Sequence, residues 1–90
     1  MNMRYLGYPL YKTKTGLLIV QVRTRKVPPL GSTVVKRDMR RIGSVMDIIG
    51  PIIEPYAVVK LFRKDINHEL LSSPLYYIPS KHELRKRKRR

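Results

Sequence analysis

Apolar residues fall along this chain in short runs broken by glycine and proline. In residues 17–23, Leu18, Val20 and Val22 point one way and Gln21 and Arg23 the other, the alternation of a strand with one buried face. Residues 5–11 form an earlier apolar and aromatic run, joined to the first through Lys12-Thr13-Lys14-Thr15-Gly16. The glycine suits a left-handed turn position, so the two runs read as a β-hairpin. Pro9 interrupts the earlier run, as at a sheet edge or a strand end. Residues 26–31, with Pro28-Pro29 and Gly31, read as a turn-rich connection. A short strand at 33–36 and a polar connector at 37–41 follow. Two longer strands are predicted at 42–49 and 56–62, and a last short one at 75–78, closed by Pro79. Residues 65–71 carry the pattern of one or two helical turns, with Asp65 as N-cap.

Short strands separated by Gly/Pro turns, with at most one short helix, predict an all-β fold: a small closed six-stranded β-barrel over residues 1–79. Closure also protects the strand edges. Residues 80–90 read as a separate basic tail. It opens on Ser80-Lys81-His82-Glu83, a capping-box pattern that starts a short helix. Beyond Leu84, six consecutive cations repel one another and favour disorder.

The most informative stretch is residues 41–60, RIGSVMDIIGPIIEPYAVVK. Pro51 and Pro55 bracket Ile52-Ile53-Glu54, and proline has no N–H for a ladder, so this piece is a turn or an edge. Turns ordinarily carry Asn, Asp, Ser and Gly, whereas this one carries isoleucines directly after Ile48 and Ile49. Each isoleucine taken singly could fold back onto the core. Burying all four beside two kinks is harder, so part of the set is expected to stay exposed as a docking patch. The candidate partner-binding residues are Asp47, Ile48, Ile49, Gly50, Pro51, Ile52, Ile53, Pro55 and Tyr56. Gly50 and Pro51 supply backbone geometry in either case. Tyr56 serves either as a core aromatic or as an interface anchor, since its ring is apolar and its hydroxyl seeks a partner.

Ninety residues support one domain with a modest core and no large catalytic cleft. The absence of cysteine removes disulfides, thiolate nucleophiles and thiolate zinc sites, and fits an intracellular chain. No run reaches the roughly 20 apolar residues that span a bilayer, and the first residues lack the apolar centre of a secretion signal, so no membrane association is expected. The net charge of +14, from 20 Lys+Arg against 6 Asp+Glu, points to a polyanion nearby. Residues 81–90 contribute 7 − 1 = +6 of it, leaving +8 on residues 1–80.

At residues 41–60 the chain resembles a known family. Ile42-Gly43, Val45, Asp47 through Pro51, Pro55-Tyr56 and Val59-Lys60 follow the core pattern of the glycine/arginine-rich (Gar) subunit of box H/ACA ribonucleoproteins. Thr15-Gly16, the Pro28, Gly31 and Val34 spacing, and Pro74-Leu75-Tyr76 extend the resemblance to about residues 4–79. With 5 glycines and no RGG repeats, the chain looks like the archaeal form. An acidic residue often comes earlier than Lys36-Arg37-Asp38 in that family, so no role transfers to Lys36 or Arg37. A related nuclear assembly factor shares the core but has much longer flanks.

The resemblance implies a non-catalytic subunit of an RNA-guided pseudouridine synthase complex, without cofactor or metal. The implied partners are the dyskerin-like catalytic subunit, bound directly without guide RNA, and the box H/ACA ribonucleoprotein with its other small proteins. Guide and substrate RNA would be met mostly indirectly. The implied action is on a mobile loop over the partner's active site, and so on substrate placement and product release in rRNA modification and ribosome biogenesis. The expected location is the cytoplasm of an archaeal cell, or the nucleolus of a eukaryotic one.

Plainer readings stand beside these. Pseudouridine synthases use an aspartate, but Asp47 is a lone carboxylate in a small chain, and its expected role is to accept hydrogen bonds from the turn at Gly50 or to order the loop. His68 and His82 have no metal-ligand partners in the sequence and read as surface residues. Tyr5, Tyr8, Tyr11, Tyr76 and Tyr77 are expected in core or edge packing of the terminal strands. Arg85, Lys86, Arg87, Lys88, Arg89 and Arg90 are either a solvated solubility tail or a nonspecific phosphate contact. The alternative function is a ribosomal or other small basic barrel that binds RNA directly.

Overall fold

In the computed structural model, which describes residues 3–63 and 68–80, six strands close into a barrel. They are β1 (Arg4–Lys12), β2 (Leu17–Val22), β3 (Thr33–Lys36), β4 (Arg41–Ile49), β5 (Tyr56–Leu61) and β6 (Leu75–Ile78). Around the barrel their order is β1-β2-β5-β4-β3-β6, with every neighbouring pair antiparallel. The expected fold class is therefore the observed one. The helical stretch anticipated at 65–71 is a 3₁₀ helix, His68–Ser72. The proposed cap Asp65, the capping-box residues after Ser80 and the whole basic run lie outside the described residues.

The β1–β2 hairpin closes as the sequence predicts. Thr13 N–H donates to Leu17 O at 2.7 Å, Leu17 N–H donates to the Thr13 hydroxyl at 3.0 Å, and Gly16 takes the left-handed position at φ 90°. Pro9 is tolerated because β6 pairs with β1 only as far as Gly7, and the register against β2 shifts between Pro9 and Tyr11. Ser32 anchors the long β2–β3 connection: its buried hydroxyl donates to Pro29 O at 2.6 Å. Val45 N–H and Ser32 O, with Gly31 N–H and Val45 O, extend the β3–β4 pairing into that connection.

Inward positions fill the barrel with Leu6, Leu18, Val20, Val34, Val45, Val59 and Leu75, all essentially without exposure. Each such aliphatic side chain contributes about 1.5–3 kcal/mol when fully buried. Leu70 of the 3₁₀ helix joins the same cluster. The terminal-strand tyrosines divide. Tyr77 is in the core, and Tyr5 and Tyr76 meet edge to face at 5.7 Å. Tyr8 and Tyr11 are exposed, because they pair with Gln21 and Ile19 on the outer side of β2; core packing does not account for them.

Candidate partner-docking site

The loop between β4 and β5 is built by its own sequence. Ile49 and Tyr56 form the last strand pair, after which Gly50 turns the chain at φ 90°, a left-handed geometry that costs glycine little. Pro51 O then accepts from Glu54 N–H at 3.0 Å, closing a turn with Ile52 and Ile53 at its tip. Two contacts tie the loop to β2: Val22 N–H donates to Pro55 O at 3.1 Å, and the Gln21 amide donates to the Glu54 carboxylate at 3.3 Å. The tip is therefore held by hydrogen bonds, yet Ile52 is 96% and Ile53 93% exposed. Leaving two isoleucines in water on a tethered turn forgoes burial worth about 1.5–3 kcal/mol each.

Beside this loop lies an open groove of about 740 Å³, walled on the other side by Arg23, Thr24, Arg25 and Val27. The pairing of Gln21 with Tyr56 brings the two loops together at one end of the barrel. Gln21 links them further, because its carbonyl oxygen accepts from Arg23 Nη1 at 3.3 Å while its amide reaches Glu54. The Thr24 hydroxyl donates to Lys26 O at 2.9 Å and shapes the opposite wall. The groove thus combines an apolar lip with guanidinium groups, and Glu54 is the carboxylate among the described lining residues.

The anticipated residues fall in different settings. Pro51, Ile52 and Ile53 form the exposed tip. Ile49 and Tyr56 sit across from each other on the outer face, the first exposed and the second half-buried. Ile48 faces inward opposite Ala57 and packs against the core, while its edge also lines the groove. Asp47 does not serve the turn at Gly50: its carboxylate accepts from the next N–H, that of Ile48, at 2.8 Å. The physical reason is a register shift between Val45 and Asp47, which leaves Met46 extra and sends Asp47 outward beside Val58. The groove wall at Arg23 to Val27 escaped the sequence reading, since only the β2–β5 pairing brings residues 23–27 next to residues 50–55. A cluster of cations next to Pro28-Pro29 was the available signal.

Residues 6–86, nearly the whole chain, match the family described as the Gar1/Naf1 RNA binding region. A relative from Methanocaldococcus jannaschii, an uncharacterized protein, is 39% identical over 57 residues, covering 63% of this chain and 67% of its own length.

Proposed function

This chain belongs to the Gar1/Naf1 family and is of Gar1 type, a subunit class of H/ACA ribonucleoproteins, and on that premise we propose which surface it uses and on what. The family's members are accessory, non-catalytic subunits. The barrel docks on the dyskerin-like pseudouridine synthase through the Ile52/Ile53 tip, the groove beside it and the flanking Ile49 and Tyr56. Bound there, it acts on the placement of substrate RNA and the release of product during rRNA modification. The basic run at 85–90 lies along RNA phosphate and adds affinity without sequence preference. Such an assembly works in the cytoplasm of an archaeal cell, or in the nucleolus of a eukaryotic one.

One observation carries this reading: two fully exposed isoleucines at the tip of a loop that backbone and side-chain hydrogen bonds hold in place. A tethered apolar projection needs no ordering on binding, so its burial is not offset by lost chain entropy. The test is retention of the purified protein on the purified synthase in nuclease-treated buffer. Ile52→Asp or Ile53→Asp should weaken that complex at least tenfold, about 1.4 kcal/mol, with the β-type circular dichroism unchanged. If the wild-type chain is not retained without RNA, the reading fails.

A second reading, direct RNA binding by the barrel, draws on Arg23 and Arg25 in the groove. It requires that a chain ending at residue 84 keep its affinity for structured RNA.

A further inference from the structure

The end of the barrel opposite the β4–β5 loop gathers cations from three segments that are far apart in the sequence. Strands β1, β3 and β5 all run toward it, so it carries the β1–β2 turn, the β3–β4 turn and the end of β5. Backbone hydrogen bonds join these segments into one surface. Leu61 N–H donates to Gly16 O and Phe62 N–H donates to Ile42 O, both at 3.0 Å, so the end of β5 bridges the β1–β2 turn and the start of β4. The β3–β4 turn is closed in its own right: Lys36 N–H donates to Arg40 O and Met39 N–H to Lys36 O, both at 2.9 Å. Arg40 N–H donates to the Asp38 carboxylate at 3.1 Å. Met39 takes the left-handed position at φ 73°, uncommon for a residue other than glycine or asparagine, and its side chain is exposed.

Arg37, Arg40 and Arg41 stand exposed around this one turn, with Lys36 half-buried beside them. Lys14 in the β1–β2 turn and Lys60 near the end of β5 are exposed as well. Across residues 12–16, 36–41 and 60–63 the one carboxylate is that of Asp38, 3.6 Å from Arg40 Nε. Both partners of that pair face water, so it offsets little of the positive field. Phe62, where the end of β5 meets the other two segments, is 58% exposed.

A cationic field alone suits any polyanion. An exposed aromatic ring set within it suits a polyanion whose repeating unit also offers a flat π-face, which is a nucleic acid rather than an acidic polypeptide. A base has that face free where it is unpaired. The match of residues 6–86 to an RNA binding region selects RNA.

We propose that this end of the barrel binds single-stranded RNA: Lys14, Arg37, Arg40, Arg41 and Lys60 hold the phosphates, and Phe62 stacks on an unpaired base. The site is distinct from the groove at Arg23 and Arg25, which lies at the other end. It goes beyond the docking reading and does not depend on it, since Ile52 and Ile53 project from the opposite end of the barrel. Protein and RNA are then met at opposite ends of one small fold.

The experiment titrates the full chain with a short single-stranded RNA oligonucleotide and with an RNA duplex, at several salt concentrations, by fluorescence anisotropy. Residues 85–90 are present in every variant, so each difference belongs to the substituted residue. Arg37→Ala and Lys14→Ala should each flatten the slope of log affinity against log salt by about 0.7. The ratio of wild-type to variant affinity then changes about fivefold over a tenfold range of salt. Phe62→Ala should lower single-strand affinity at least roughly fivefold and leave both the slope and the duplex affinity unchanged. Arg37 and Lys14 lie on exposed turns, so they carry the test if circular dichroism shows that Phe62→Ala has not folded. Arg25→Ala should bind like wild type. If Arg25→Ala weakens binding while Arg37→Ala and Lys14→Ala do not, RNA is met in the groove and the inference falls. It falls too if a folded Phe62→Ala binds the oligonucleotide as tightly as wild type. Binding of poly-aspartate through Arg37 and Lys14, with no affinity for RNA, would make the surface a protein site and overturn it as well. None of these results bears on retention by the synthase, so the docking reading stands or falls separately.

Discussion

Gly7 and Gly50 both sit at positive φ, 152° and 90°, yet a side chain at each would meet very different surroundings. A Cβ on Gly7 would fall on the Gln21 carbonyl oxygen of the neighbouring strand, and 3.1 Å from Arg23 Cγ. At Gly50 the nearest atom is Glu54 O at 3.3 Å, a contact that a small shift relieves. Gly50→Ala should therefore cost only the left-handed backbone penalty, about 1–2 kcal/mol. Gly7→Ala should lower the urea midpoint distinctly further, because β1 must move off β2. Equal midpoints for the two variants would contradict this account. Gly50 was legible as a turn glycine because Pro51 follows it. Nothing in the local sequence around Gly7 tells how near β2 passes.

The strands show where pattern reading holds and where it fails. Leu18, Val20 and Val22 were legible as inward because their period of two persists through β2, and all three are buried in the core. Leu18→Ala should cost about 2–5 kcal/mol in chemical denaturation, the range for a truncated core leucine. In contrast, Ile52→Asp should change stability by less than about 0.5 kcal/mol, since that side chain touches water. A comparable loss at both positions would mean the loop tip belongs to the folded core. Ile19 and Val58 were not legible as outer-face residues, because their apolar character fits either side of a strand. Nor was the extra residue Met46 in β4: a bulge shifts the inward phase by one, and apolar side chains on both sides of the shift conceal it.

For the molecule as a whole, the arrangement of charge decides how polyanions are met. The six cations at residues 85–90 are distant in sequence from the loop at residues 50–55, so deleting them should reduce RNA affinity without touching synthase binding. The slope of log affinity against log salt should shrink by up to about 4–5 on that deletion, if each cation neutralises one phosphate. An unchanged slope would assign the RNA contact to the barrel. The chain's own order of residues was enough to determine the strand segments, the Gly/Pro turns, the oily tip at Ile52-Ile53 and the run of six cations at residues 85–90, because each depends on neighbours a few positions away. Only tertiary structure decided that β2 lies against β5, that residues 23–27 form a groove with residues 50–55, and that Tyr11, Ile19, Val58 and Ile49 share one surface. Those facts depend on strand order and register, which closure of the barrel imposes on residues distant in sequence, and no local pattern of polar and apolar side chains encodes them.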